Sequence, residues 1–235
     1  QFAFPRVKFN SAQLDRAVNR RHYTNTSPPV VWGSLVILGN GVGDRLAYKG
    51  DPPGDVQAFD VHTGKRVWAF RTVPAAGEFG NDTWRDDSWK FTGHTNVWAP
   101  FTVDSARGLV FLPVGTPSND WYGGRRAGAN LFGEALVALD ARTGTRLWHS
   151  QLVHHGLWDY DLPAPPNVVT IRKGAQRIEA VVAPTKQGWV FAFDRVTGKP
   201  LFTQAAEMLR LWFQRRVDPP SYYAQELYET ARLPL

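Results

Sequence analysis

An eleven-residue pattern that occurs three times in register constrains the fold of this chain more than any other feature. Ala58-Phe59-Asp60-Val61-His62-Thr63-Gly64-Lys65-Arg66-Val67-Trp68 returns as Ala138-Leu139-Asp140-Ala141-Arg142-Thr143-Gly144-Thr145-Arg146-Leu147-Trp148. It returns again as Ala192-Phe193-Asp194-Arg195-Val196-Thr197-Gly198-Lys199-Pro200-Leu201-Phe202. Every marker has a mechanical use. Alanine is small enough to face a neighbouring sheet, Asp and Thr bond the turn backbone, Gly takes the positive φ that closes a hairpin, and the aromatic ring docks between sheets. Asp60, Asp140 and Asp194 fall 80 and 54 positions apart. The shorter spacing suits one four-stranded propeller blade, and the longer suits a blade with loop insertions. The expectation is an all-β chain folded as part of a β-propeller, with about three four-stranded blades where closed propellers have four to eight.

The rest of the chain agrees with short strands and tight turns. Ten Trp, fourteen Phe, seven Tyr, twenty-one Gly and seventeen Pro stand against a single Met, a composition that favours strands over helices. Val30 to Gly39, Gly54 to Asp60 and Arg66 to Phe70 read as the four strands of a first blade. Val103 to Val114 repeats its two-strand opening, and Ala180 to Thr185 supplies a middle strand for the third. The long insertions, Thr72 to Asn96 and Pro117 to Phe132, are rich in Gly, Asn, Asp, Trp and Arg, as expected of loops over one face of a disc. The chain thus divides into an irregular segment 1–22, blades over 23–202 (about 23–72, 96–152 and 163–202) and an atypical tail 203–235. Ala12 to Val18 and Gln204 to Arg216 carry amphipathic helix patterns. An incomplete propeller leaves sheet edges that so short a tail hardly covers, so the tail reads better as a truncated or frame-disturbed end than as a cap.

Charge and cysteine content exclude several classes. The formal charge is +6, but the basic residues are scattered, with clusters only at Arg20-Arg21, Arg125-Arg126 and Arg215-Arg216, which argues against a nucleic-acid groove. No apolar run approaches the roughly 18 residues that span a bilayer, and no leader opens the chain. Without cysteine there is no disulfide, thiolate metal site or C-x-x-C-H haem attachment in this stretch.

Chemistry concentrates in one place. His154-His155-Gly156-Leu157-Trp158-Asp159-Tyr160-Asp161-Leu162-Pro163-Ala164-Pro165-Pro166 packs carboxylates, imidazoles and large aromatics ahead of prolines that forbid a helix. Such a loop between strands is where a rigid scaffold displays reactive groups. Asp159 would accept a proton, and Lys186 on the following strand would sense charge on a ligand. The competing reading is a structural turn in which Asp caps backbone amides and Trp fills the core. Adjacent His154 and His155 point opposite ways in extended backbone and chelate one metal poorly. His94 is a candidate for the substrate mouth. Trp84, Trp89, Trp121 and Tyr122 are either a lid or hydrophobic plugs. Gly123-Gly124-Arg125-Arg126 lacks the ending of a phosphate loop.

The three repeats resemble the tryptophan-docking motif of quinoprotein dehydrogenases, eight-bladed propellers that bind pyrroloquinoline quinone (PQQ) on their axis. The stretches Val153 to Ala164 and Ala183-Pro184-Thr185-Lys186-Gln187-Gly188 are similar to the segments that carry the catalytic Asp and the PQQ-contacting Lys in the membrane glucose dehydrogenase branch. Asn96-Val97-Trp98-Ala99-Pro100 and Leu112-Pro113-Val114-Gly115-Thr116-Pro117 resemble two more of its segments, so the likeness covers about residues 23–202. It implies Asp159 as general base, a structural role for Asp161, Lys186 on the ortho-quinone oxygens, Asp44 as a Ca²⁺ ligand and Thr116 lining the metal and cofactor pocket. Where relatives often have Asn after the metal-binding Asp, this chain has Arg45, which cannot ligate Ca²⁺. Arg45 either pairs with a PQQ carboxylate or marks a weakened metal site.

The implied activity is oxidation of an alcohol or a glucose-like aldose to a carbonyl or lactone in the periplasm, with electrons passed to a membrane quinone such as ubiquinone or to a cytochrome. The alternatives are a non-catalytic propeller scaffold for protein partners and an inactive fragment of such an enzyme, whose missing blades would supply the remaining cofactor contacts.

Overall fold

The computed structural model describes residues 23–42, 53–90 and 95–202. Its strands run β1 (Tyr23–Thr24), β2 (Val30–Trp32), β3 (Leu35–Leu38), β4 (Gly41–Val42), β5 (Val56–Asp60), β6 (Arg66–Phe70), β7 (Thr102–Asp104), β8 (Leu109–Pro113), β9 (Ala135–Asp140), β10 (Arg146–Gln151), β11 (Asn167–Lys173), β12 (Gln176–Pro184) and β13 (Val190–Asp194). They form antiparallel sheets in the orders β2-β3-β5-β6, β7-β8-β9-β10 and β11-β12-β13, with β1 paired to β4. Three consecutive meanders of this kind are the propeller blades that the repeat predicts. The third differs in one respect. A fourth strand is represented among the described residues by a single bridge, Phe193 to Pro200, since proline has no N–H with which to donate to a ladder.

Alternation along the central sheet explains how three sheets stack. Val110, Leu112, Val137 and Leu139 belong to the core shared with the first sheet, together with Leu35, Ile37, Val56 and Trp68. Their neighbours Leu109, Phe111, Leu136 and Ala138 belong to the core shared with the third sheet, together with Trp148, Val181 and Phe193. Successive strand residues point to opposite faces, and here both faces are covered, so β8 and β9 read as unbroken apolar runs rather than as an apolar–polar alternation. Each fully buried Val, Leu, Ile or Phe contributes about 1.5–3 kcal/mol relative to exposure.

The repeat does the mechanical work assigned to it. Asp60 Oδ1 accepts the N–H groups of His62 and Thr63 and the Thr63 hydroxyl. Asp140 does the same with Arg142 and Thr143, and Asp194 with Val196 and Thr197. Gly64, Gly144 and Gly198 have φ of 67°, 71° and 72°. The Trp68 indole donates to the Ala141 carbonyl at 3.0 Å, and the Trp148 indole to the Arg195 carbonyl at 3.2 Å. Each ring lies on the next blade's glycine so closely that a Cβ on Gly144 or Gly198 would come within 2.6 Å of it. Phe202, the third aromatic, is 42% exposed.

Two ties between sheets were not apparent in the sequence. Trp32 docks in the same manner at the β7–β8 turn, its indole donating to Ser105 O at 3.2 Å and its ring 2.9 Å from where a Cβ on Gly108 would sit. Between the second and third sheets, Arg195 bridges Asp104 (3.1 Å) and Glu179 (2.8 Å), and Arg107 pairs with the same two carboxylates. Breaking the buried Arg195–Asp104 arm costs more than breaking an exposed pair, because it strands the remaining charge.

Candidate active site

The segment from Leu152 to Pro166 leaves β10, crosses to the third sheet and is built as a loop, as its prolines require. Leu152 and Val153 anchor it in the core. His155 and Asp159 adopt left-handed φ of 52° and 55°, backbone states that a non-glycine residue holds only when its surroundings over-determine them. The surroundings are polar. The His155 amide donates to Ala129 O at 3.1 Å, and its ring Nδ1 donates to Gly128 O at 2.7 Å, which fixes the Nδ1–H tautomer. This occupies His155 as a structural donor, while His154 is exposed.

Lys186 reaches the same place from the tip of the β12–β13 hairpin. The tip is a tight turn in which Gly188 N donates to Thr185 O at 3.0 Å and Thr185 N to Trp189 O at 2.9 Å, with Gly188 at φ 77°. The Lys186 ammonium lies 3.0 Å from Asp159 Oδ2 and 2.7 Å from Asp161 Oδ2. The second oxygen of Asp161 accepts the Thr116 N–H at 2.6 Å. Thr116 in turn donates its hydroxyl to Glu134 Oε1 at 2.9 Å, and the same oxygen accepts the Tyr160 N–H at 3.1 Å. The Lys186 Nζ also lies 5.9 Å from the centroid of the Trp98 ring.

The electrostatics separate the carboxyls by role. Burial, and then the adjoining Asp161 carboxyl, push Asp159 up to about 6 against the pull of Lys186. Glu134, fully buried, is pushed up to about 7 by desolvation, opposed by the Thr116 hydroxyl and by Arg126. Burial acts against the charge on Lys186, but its hydrogen bonds to Asp161 and Asp159 outweigh this and raise its pKa. Two of the three ammonium donors are used in these pairs, leaving one for a ligand. A cation with a spare donor beside an indole face can receive an anionic or hydrogen-bond-accepting group of a ligand.

Of the residues singled out in the sequence, Asp159, Lys186 and Thr116 therefore converge. Asp161, expected to be structural, is the link between the last two. Asp44, Arg45 and His94 lie outside the described residues. Trp84 is a buried plug whose indole donates to Leu131 O, whereas Trp121 and Tyr122 are exposed. Arg126, half of a clustered basic pair in the sequence, is fully buried. Glu134 and Trp98 were missed: a lone Glu opening an apolar strand and one Trp among ten carry no local signal of a site. Among the described residues, no cluster of three or more His, Asp or Glu is arranged to hold a metal.

Residues 6–207 match the family model described as PQQ: glucose/ethanol/alcohol dehydrogenase, β-propeller domain. The chain is 37% identical over 201 residues to a quinoprotein glucose dehydrogenase of Gluconobacter oxydans (strain 621H), covering 82% of this chain and 24% of that protein. It is 38% identical over 179 residues to a quinate/shikimate dehydrogenase (quinone) of Acinetobacter baylyi (strain ATCC 33305 / BD413 / ADP1), covering 75% and 22%. Among solved structures, a quinohemoprotein alcohol dehydrogenase from Pseudomonas putida HK5 superposes with a TM-score of 0.68 at 28% identity, over 80% of this chain and 29% of that one. The chain thus spans about a quarter of the length of the curated relatives it matches.

Proposed function

Since this chain belongs to the glucose/ethanol/alcohol dehydrogenase β-propeller family of quinoproteins, we propose that it carries the base and a cofactor contact for PQQ-dependent oxidation of an alcohol or aldose hydroxyl. The observation that supports this most is the half-buried Asp159 carboxylate, paired at 3.0 Å with Lys186 and raised to about 6. A base is most effective when its pKa lies near the working pH, ionised enough to act and basic enough to take a proton.

PQQ, when bound, would supply the two-electron acceptor, and Ca²⁺, which Asp44 and Thr116 would hold, would supply Lewis-acid polarisation. The residues of the chain do the rest. Asp159 takes the hydroxyl proton as the substrate C–H bond is broken and its electron pair leaves as hydride. The carboxylate then returns that proton to solvent, to which its side chain is 28% exposed. Lys186, anchored by Asp161, would offer its remaining donor to the cofactor and so favour negative charge there. Thr116 keeps Asp161 in place through its N–H, and Trp98 offers a flat apolar surface beside the ammonium. Arg45 is assigned to a cofactor carboxylate.

The products are a carbonyl compound or lactone, with electrons passing onward to a membrane quinone or a cytochrome. The reaction is assigned to the periplasm on the family likeness. Among the described residues, no helix is long and apolar enough to cross a membrane. The test is Asp159→Asn in the full-length protein. Turnover with dye as acceptor should fall by about 10³-fold or more while PQQ still binds, and turnover close to wild type would sink the assignment.

A further inference from the structure

Two charged side chains beneath the Asp159 loop are buried without an obvious reason. Glu134 and Arg126 are both fully buried, and each leaves a polar atom, Glu134 Oε2 and Arg126 Nε, without a hydrogen-bond partner. Replacing buried charges by apolar residues of similar volume is often neutral or stabilising, so stability alone is a poor account of them. Their remaining atoms hold backbone. Arg126 donates to Gly156 O at 2.5 Å, Asn119 O at 3.1 Å and Asn130 Oδ1 at 2.9 Å. Asn130 answers by donating to Arg126 O at 2.7 Å. Glu134 Oε1 takes the Tyr160 N–H, next to Asp159, and the hydroxyl of Thr116, whose own N–H holds Asp161.

We propose that Glu134 and Arg126 are positioning residues, gripping the loop at Gly156 and Tyr160 from its buried side so that the Asp159 carboxylate is set against Lys186. Gly156 supports this independently. Its φ is not left-handed, so its backbone does not require glycine, yet a Cβ there would come within 1.7 Å of Glu134 Oε2. The absent side chain is what lets the loop close down on Glu134.

The consequence for turnover rests on Asp159 being the base, but the position itself is measurable without cofactor or substrate. In the apo full-length protein, the rate of reductive methylation of Lys186 is read by peptide mass spectrometry, with exposed Lys65 and Lys199 as internal references. Glu134→Leu and Gly156→Ala should each speed Lys186 relative to the references by about five-fold or more, because an ammonium whose Asp159 partner is displaced is more reactive. Glu134→Gln, which keeps the Oε1 acceptor, should stay within about two-fold of wild type. Adding Gly156→Ala to Glu134→Ser, where the space already exists, should change nothing further. If Glu134→Leu unfolds and all three lysines speed up together, the Gly156→Ala variants decide. An unchanged Lys186 rate in folded Glu134→Leu or Gly156→Ala would overturn the proposal, as would Glu134→Gln behaving like Glu134→Leu. Loss of turnover in Asp159→Asn with normal labelling in these variants would leave the base and remove the clamp.

Discussion

Aspartate is used in opposite ways by the docking turns and by the loop that carries Asp159. In the turns, amides and a hydroxyl within three residues bond the carboxylate. Hydrogen bonds from the Thr63 N–H and hydroxyl hold Asp60 below its usual range. Asp194 is also held low: burial opposes its charge, but the Thr197 N–H and hydroxyl outweigh it. At the loop the carboxylate is half-buried, set beside a second carboxyl and raised to about 6. Local backbone donors make an aspartate a permanent anion with a structural task, whereas desolvation beside a like charge makes it one that exchanges protons near neutrality.

If the division of labour is real, the largest stability effects belong to the docking turns. Trp148→Ala empties a ring site against Arg195 and Gly198 and should cost about 3–5 kcal/mol by denaturant unfolding. Asp159→Asn should leave stability within about 1 kcal/mol, and a loss as large as that of Trp148→Ala would break the comparison. Gly144→Ala comes next, at about 1–3 kcal/mol, since it combines a left-handed φ of 71° with a clash against Trp68.

A smaller effect lies in the pH dependence, and the signs are opposed. Asp194, whose folded pKa is lowered, contributes stability above its unfolded value of 3.8 that is lost as pH falls through the folded value. Asp159, whose folded pKa is raised, contributes stability below 3.8 that is lost as pH rises through about 6. Thermal unfolding from pH 3 to pH 8 should therefore show Asp194→Asn destabilised chiefly at the neutral end (roughly pH 5–8) and Asp159→Asn relatively stabilised there. Parallel curves for the two variants would remove the distinction.

The docking turns were legible in the sequence because Asp, Thr and Gly act on one another within six positions, and three copies in register leave little to chance. The third sheet was less so, because Pro200 interrupts the ladder where a fourth strand was expected. At the site, Asp159 and Lys186 stood out through family likeness and an unusually polar segment. Glu134 and Arg126 did not, because what makes them matter is distant in the chain: Glu134 meets Tyr160 across 26 positions, Arg126 meets Gly156 across 30, and Thr116 meets Asp161 across 45. The Arg195 and Asp104 pair, 91 positions apart, was invisible for the same reason. Local periodicity reports the scaffold, and only the closed stack of sheets reports which polar side chains it brings together.

The central claim is that Lys186, held between Asp159 and Asp161, is a contact for PQQ. Its most direct test is equilibrium titration of the full-length protein with PQQ in the presence of Ca²⁺, comparing wild type with Lys186→Met. The account predicts saturable binding near one equivalent in wild type and affinity at least about ten-fold weaker in the variant, as expected for loss of a charge-assisted hydrogen bond. Equal affinity in a folded Lys186→Met protein would contradict it.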